Sequence, residues 1–144
     1  MSHNQTTYKG SCLCHTVQYE VKAIEPLMSH CHCTMCRKFH GAAFATYGEV
    51  LKDNFKWTAG EQQLSQFLAP NGTTRQFCKV CGSSLTFSPA NNPEGTVEIA
   101  LGTLDSDIPH QPDAHIFLNF KANWDVVNDD LSKYTAGRSS KKTS

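Results

Sequence analysis

The spacing of seven cysteines constrains this 144-residue chain more than any other feature. They fall in three groups, Cys12-Leu13-Cys14, Cys31-His32-Cys33-Thr34-Met35-Cys36 and Cys78-Lys79-Val80-Cys81-Gly82. An odd count leaves a sulfur outside any set of disulfides. At about 5% of residues the density falls short of a disulfide-built scaffold. The opening stretch MSHNQTTYKG lacks the apolar segment of a secretion signal, so cytosol or nucleus is the expected compartment. A reducing compartment keeps thiols free, and free thiols at these spacings read as metal ligands.

Cys-x-x-Cys followed by Gly is a zinc-knuckle signal. The tight turn aims two thiolates at one ion, and Gly accepts the backbone that follows. A knuckle needs a second pair, and Cys12 and Cys14 are the natural partners of Cys78 and Cys81. Four cysteine ligands close a structural site, and binding would contribute on the order of 10 kcal/mol to folding. A redox Cys-x-x-Cys would want a strand-to-helix context that this chain does not show.

Cys31, Cys33 and Cys36 are then left over. Three thiolates leave one position of a tetrahedral zinc open, which is how catalytic zinc is built. His40, four residues after Cys36, would close the same site. His30 and His32 are flanked by cysteines and suit ligation less well. Arg37, Lys38 and Arg75 are cations that would offset negative charge gathered there, and each is equally an ordinary surface residue on spacing alone. Open and closed readings both stand at this point.

Apolar residues alternate with period two, which argues for strands. Val17, Tyr19 and Val21 do so, as do Phe55 and Trp57, then Val97, Ile99 and Leu101, then Ile116, Leu118 and Phe120. Residues 44–47, 64–68 and 75–77 also read as strands. Asn71-Gly72 should turn the chain between the last two. Residues 88–95, SPANNPEG, read as a loop. Helical signals are few: a turn after Cys33 and a short helix over Asp129–Tyr134. The expected fold is all-β, a single domain of small antiparallel sheets, with Phe44, Trp57 and Phe117 as packing residues.

Lys and Arg together number 13, as do Asp and Glu. Arg138, Lys141 and Lys142 lie in the last ten residues, and the rest carries 10 basic against 13 acidic side chains. A mildly acidic body lacks the basic face that nucleic-acid binding uses. No apolar run is long enough to cross a membrane as a helix. The sequons at Asn4 and Asn71 are expected to carry no glycan in a reducing compartment. The organisation expected is a flexible N-terminus (1–7), a zinc domain (8–134) and a disordered basic tail (135–144).

Five segments carry a family resemblance: GSCLCHTVQYEV (10–21), HCHCTMCRKFHGAAFATY (30–47), FCKVCGSSLTF (77–87), LGTLD (101–105) and HIFLNFKANW (115–124). Their order and spacing resemble the glutathione-dependent formaldehyde-activating enzyme (GFA) family, which includes the centromere protein V group. The resemblance covers about residues 8–134. It implies a β-tent fold with two zinc ions. One would be structural, on Cys12, Cys14, Cys78 and Cys81, and one catalytic, on Cys31, Cys33 and Cys36. It favours the open reading of the second site.

The resemblance also implies a carbon–sulfur lyase that makes or breaks a bond in a small-molecule thiol adduct, of which S-(hydroxymethyl)glutathione is the family's founding case. His32, His40 and His115 are candidate proton carriers. Two departures stand out. His15 occupies a position where the family often has Gly, and Ala122-Asn123-Trp124 stands where it often has Ala-Pro-Trp. The competing readings are a zinc-stabilised interaction module without catalysis, which His40 ligation would favour, and a thiol or zinc sensor. Substrate, reaction direction and oligomeric state are not specified by the sequence.

Overall fold

The computed structural model describes residues 7–143. The first six residues, with the sequon at Asn4 and most of the expected flexible N-terminus, lie outside them. The described residues form eleven strands and one α-helix. In chain order these are β1 (Tyr8–Ser11), β2 (Gln18–Val21), β3 (Met28–Cys31), α1 (Thr34–His40), β4 (Ala45–Leu51), β5 (Phe55–Ala59), β6 (Leu64–Leu68), β7 (Thr74–Cys78), β8 (Ser84–Ser88), β9 (Thr96–Ala100), β10 (Ala114–Ile116) and β11 (Ser132–Lys133). The described residues divide into two compact units, residues 7–26 with 48–109, and residues 27–47 with 110–143.

In the first unit, β1, β2 and β5 form an antiparallel sheet in that order. The alternation in β2 works as expected: Tyr19 and Val21 are buried, while Gln18 is exposed. Tyr19 stacks on Phe55 at 5.4 Å and meets Trp57 edge-on at 6.0 Å, and its hydroxyl pairs with Thr103 Oγ1 at 2.7 Å. Strands β9, β8, β7 and β6 follow one another in a second antiparallel array. The turn between β6 and β7 has Pro70 and Asn71 at its centre and is closed by Gly72 N–H donating to Ala69 O at 2.9 Å. Gly72 follows at φ 89°, a left-handed backbone that favours glycine. Val17, Val21, Val50, Leu85 and Ile99 have no exposed surface and make the core.

The second unit has a thinner core. Of the large side chains buried to below 2% exposure, it contributes Met28 and His32. A small unit with few buried aliphatics needs other restraints, and here cysteines and histidines fill the interior: Cys31, Cys36, His32 and His115 are all buried. Its strands β11, β10 and β3 lie next to one another in that order, and both pairs are parallel rather than antiparallel. Strands so far apart in sequence are not joined by a hairpin, so nothing forces them antiparallel.

Three local expectations are corrected. Period two past Ile116 does not continue as strand, because Phe117 turns into the left-handed region (φ 59°) and residues 118–120 form a 3₁₀ turn. Leu101 likewise begins a 3₁₀ turn after β9. Residues 129–134 are not helical: Asp129 Oδ1 accepts from Leu131 N–H at 3.1 Å, an Asx-type turn, and the chain enters β11. Residues 135–143 make defined contacts. Thr135 N–H donates to Lys141 O at 3.0 Å, and Arg138 Nη2 reaches Asp113 and Met28 O. No helix among the described residues is long and apolar enough to cross a membrane.

Candidate metal centres

The seven cysteines, none of them in a disulfide, gather into two sets, each inside one unit. The first comprises Cys12, Cys14, Cys78 and Cys81, whose sulfurs all lie within 4.8 Å of one another. Cys12 and Cys14 sit in the turn after β1, held by His15 N–H donating to Cys12 O at 3.0 Å. Cys78 ends β7, and Gly82 N–H closes the knuckle on Cys78 O at 2.7 Å. Gly82 stands at φ 81°, where a side chain would be strained. The two loops are tied by Leu13 N–H donating to Ser83 Oγ at 2.8 Å.

The donor set fits a tetrahedral zinc. Zn–S bonds of about 2.3 Å imply sulfur–sulfur edges of about 3.8 Å. Cys12 and Cys14 are 3.6 Å apart and Cys14 and Cys78 are 3.9 Å apart. Val17 N–H also points at Cys12 Sγ from 3.3 Å, as suits a thiolate. Without an ion the sulfurs resist ionising together. Burial pushes Cys12 up to about 11. Burial also works against Cys81, but hydrogen bonds from Ser83 and from Cys14 outweigh it and bring Cys81 to about 5.

The second set is Cys31, Cys33 and Cys36, again within 4.8 Å. Cys31 ends β3. Cys33 is the N-cap of α1, its sulfur accepting from Cys36 N–H at 3.3 Å. Gly41 ends the helix in the left-handed conformation. The capping geometry brings the first and fourth residues of Cys-x-x-Cys to one side, toward the strand end that carries Cys31. Cys31 and Cys36 are buried and Cys33 is half-buried. Hydrogen bonding to Cys33 and Cys36, with burial, pushes the Cys31 thiol far above its usual range. Three sulfurs so close call for a cation if they are to be thiolates together.

Among the described residues, no His, Asp or Glu atom joins these three sulfurs within that distance. His40 Nε2 bonds the Tyr47 hydroxyl. His30 Nδ1 pairs with Thr46 Oγ1 at 2.7 Å. His32 lies between two of the cysteines but points elsewhere, with Nε2 on His115 Nδ1 at 2.8 Å. Arg37 and Lys38 follow Cys36 on α1, whereas Arg75 lies on β7, in the first unit. Phe44 packs on the rings of His30, His32 and His115. Trp57 packs on Tyr19 and Phe55.

A polar chain through two buried histidines, beside the second set, was not foreseen. His115 Nε2 donates to Asp129 Oδ2 at 2.8 Å; in the neutral tautomer that this bond selects, Nδ1 accepts and His32 Nε2 donates. The lone pair of His32 Nδ1 then faces Asp125 Oδ2 at 3.7 Å, and neither buried atom has a hydrogen-bond partner. Burial, then the neighbouring His115, brings His32 down to about 4. The bond from His115 holds Asp129 at about 2. This chain depends on the parallel pairing that sets His30 opposite His115, and no local pattern announces it.

His15 takes φ 63°, which explains why glycine suits this position. Its Nδ1 lies 3.1 Å from Ser11 Oγ, which in turn donates to Asp105 Oδ2 at 2.7 Å.

Comparison with known proteins places the chain. A Schizosaccharomyces pombe protein named as an uncharacterized lyase is 29% identical over 84 residues, 58% of this chain and 59% of that protein. The chain thus spans less than two thirds of that relative. A Rhodobacter sphaeroides protein of known crystal structure superposes with a TM-score of 0.57 at 24% identity, covering 70% of this chain and 91% of that one, a likeness of fold. Residues 7–120 match the family profile described as glutathione-dependent formaldehyde-activating enzyme, and the chain belongs to that family.

Proposed function

We propose that the protein is a zinc-dependent carbon–sulfur lyase acting on a thiol adduct of the S-hydroxymethyl type, with Cys31, Cys33 and Cys36 as the reaction-site ligands. The observation that carries this is the second sulfur set: three converging thiols, no fourth protein ligand among the described residues, and a separate set of four elsewhere. Family membership and the lyase name of the fission-yeast relative support the same reading. Cys12, Cys14, Cys78 and Cys81 would hold a second, structural ion.

A zinc held by the three cysteines supplies a Lewis acid that favours the thiolate form of a substrate sulfur. The protein's own residues do the rest. Three thiolates around a divalent ion leave one net negative charge, and Arg37 and Lys38 on α1 bear on it. In the cleavage direction the adduct R–S–CH₂–OH gives up its hydroxyl proton, the C–S bond breaks to give formaldehyde and a thiolate, and the proton returns to that sulfur as the thiol leaves. His40, half-buried and bonded to Tyr47, is the candidate acceptor of that proton. His32 and His115 are committed to each other and to Asp129, and orient the strand ends that carry Cys31.

The test is formaldehyde release from S-(hydroxymethyl)glutathione by zinc-loaded protein and by Cys36→Ser. Release above the spontaneous rate, abolished in a variant that keeps its circular dichroism and one zinc, is expected. Background-level release by fully loaded wild type refutes the proposal.

A further inference from the structure

One face of α1 bounds a cleft of about 440 Å³ in the second unit, lined by Thr34, Arg37, Lys38, Gly41, Ala42 and Trp124. Thr34, Arg37, Lys38 and Gly41 stand at helical spacing i, i+3, i+4 and i+7, so they share that face. The volume falls in the range of small-molecule sites. The chemistry of the lining is lopsided: two cations, no acidic side chain, and an indole that is 65% exposed. The helix end contributes Gly41 and Ala42, so nothing bulky fills the floor.

Arg37 is not there by default as a solvated surface charge. Its Nη1 donates to Phe120 O at 2.9 Å, which fixes the guanidinium beside the loop that carries Trp124. Its Nε is buried and has no hydrogen-bond partner. A buried donor of a permanent cation left unpaired is costly, and an anion in the cleft would satisfy it. Thr34 and Arg37 directly follow Cys33 and Cys36 on the same helix, so the cleft lies on the face of α1 next to the one that carries those sulfurs.

We infer that this cleft is the subsite that reads a carboxylate of the thiol substrate, with Arg37 and Lys38 as its charge partners and Trp124 as the wall against which the substrate's backbone lies. This rests on the lyase reading above and adds selectivity to it: the protein discriminates carboxylate-bearing thiols from neutral ones through residues that are not metal ligands. Lys38 is exposed and sets the overall charge; Arg37, held in place, provides the directional contact.

The test separates this from the lyase reading by using S-methylglutathione, a thioether that cannot bind a metal as thiolate. Calorimetric titration into the zinc-loaded protein should show binding. The S-methylglutathione dimethyl ester should bind at least about tenfold more weakly. Lys38→Glu, at an exposed position that leaves the fold alone, should weaken the acid about tenfold and the ester hardly at all, and Arg37→Lys should act in the same direction. Equal affinity for acid and ester, or an acid affinity unmoved by both substitutions, overturns the inference. Binding of S-methylglutathione with these differences, in a protein that shows no lyase activity, supports the cleft while refuting the reaction.

Discussion

Glu98 offers a measurement of how the first unit tolerates charge. It lies on β9, next to β4, which carries Glu49. Burial, then repulsion from and hydrogen bonding to Glu49, raise its pKa from 4.5 to about 7. Between these values the native state keeps a proton that the unfolded chain has released. Stability contributed by this group is therefore complete below pH 4.5 and is lost as pH rises to about 7, with no further change above. At about 1.4 kcal/mol per unit the ceiling is about 3 kcal/mol. Because the site is only partly enclosed and the two carboxyls share the effect, about 1–2 kcal/mol is the expected size.

Glu98→Gln removes the titration and keeps the shape. Thermal unfolding of both proteins at pH 5, 6, 7 and 8, with equal zinc loading, should show the variant gaining on wild type as pH rises. At pH 8 it should be more stable by about 1–2 kcal/mol, or about 3–6 °C for a chain of this size. The difference should vanish near pH 4.5. Taking the difference between the two proteins cancels pH-dependent loss of metal. A variant less stable at pH 8, or a difference that ignores pH, would refute the reasoning.

His15→Gly should leave the melting temperature unchanged or raise it by about 1–2 °C, since relief of the left-handed strain outweighs loss of the Ser11 contact. His15→Val should lower it by several degrees, a β-branched residue being a worse fit to φ 63°. Cys78→Ser should cost most of the cooperative unfolding transition seen by calorimetry, because it leaves three ligands in the set proposed to be structural. Cys36→Ser should instead lower the zinc content by inductively coupled plasma mass spectrometry from about two ions to one, with the transition retained.

Much of the fold was readable where side chains alternate cleanly. β2 and β5 follow their period-two patterns, and Pro70-Asn71-Gly72 marks the turn before β7. β8 (Ser84–Ser88) was missed although its residues alternate, and so were two strands with poor alternation. β1 has Gly10 at its centre, and β3 is Met-Ser-His-Cys, whose interior residues are polar or sulfur-bearing. The partition of the cysteines into sets of four and three was legible because Cys-x-Cys and Cys-x-x-Cys are local devices. The His32–His115–Asp129 chain was not, because it joins residues 83 apart through a parallel strand pair. The cleft beside α1 was half legible: Arg37 and Lys38 stood out as cations, but the position of Trp124 is set by the loop held at Phe120.

The central claim is that the three-cysteine set leaves a coordination position for a substrate sulfur. Replacing zinc with cobalt and titrating glutathione while recording the visible and near-ultraviolet spectrum tests it most directly. The account predicts a saturable change in the d–d and sulfur-to-cobalt bands that is lost in Cys36→Ser. A fully loaded protein whose cobalt spectrum ignores added thiol would contradict it and leave a closed, structural second site.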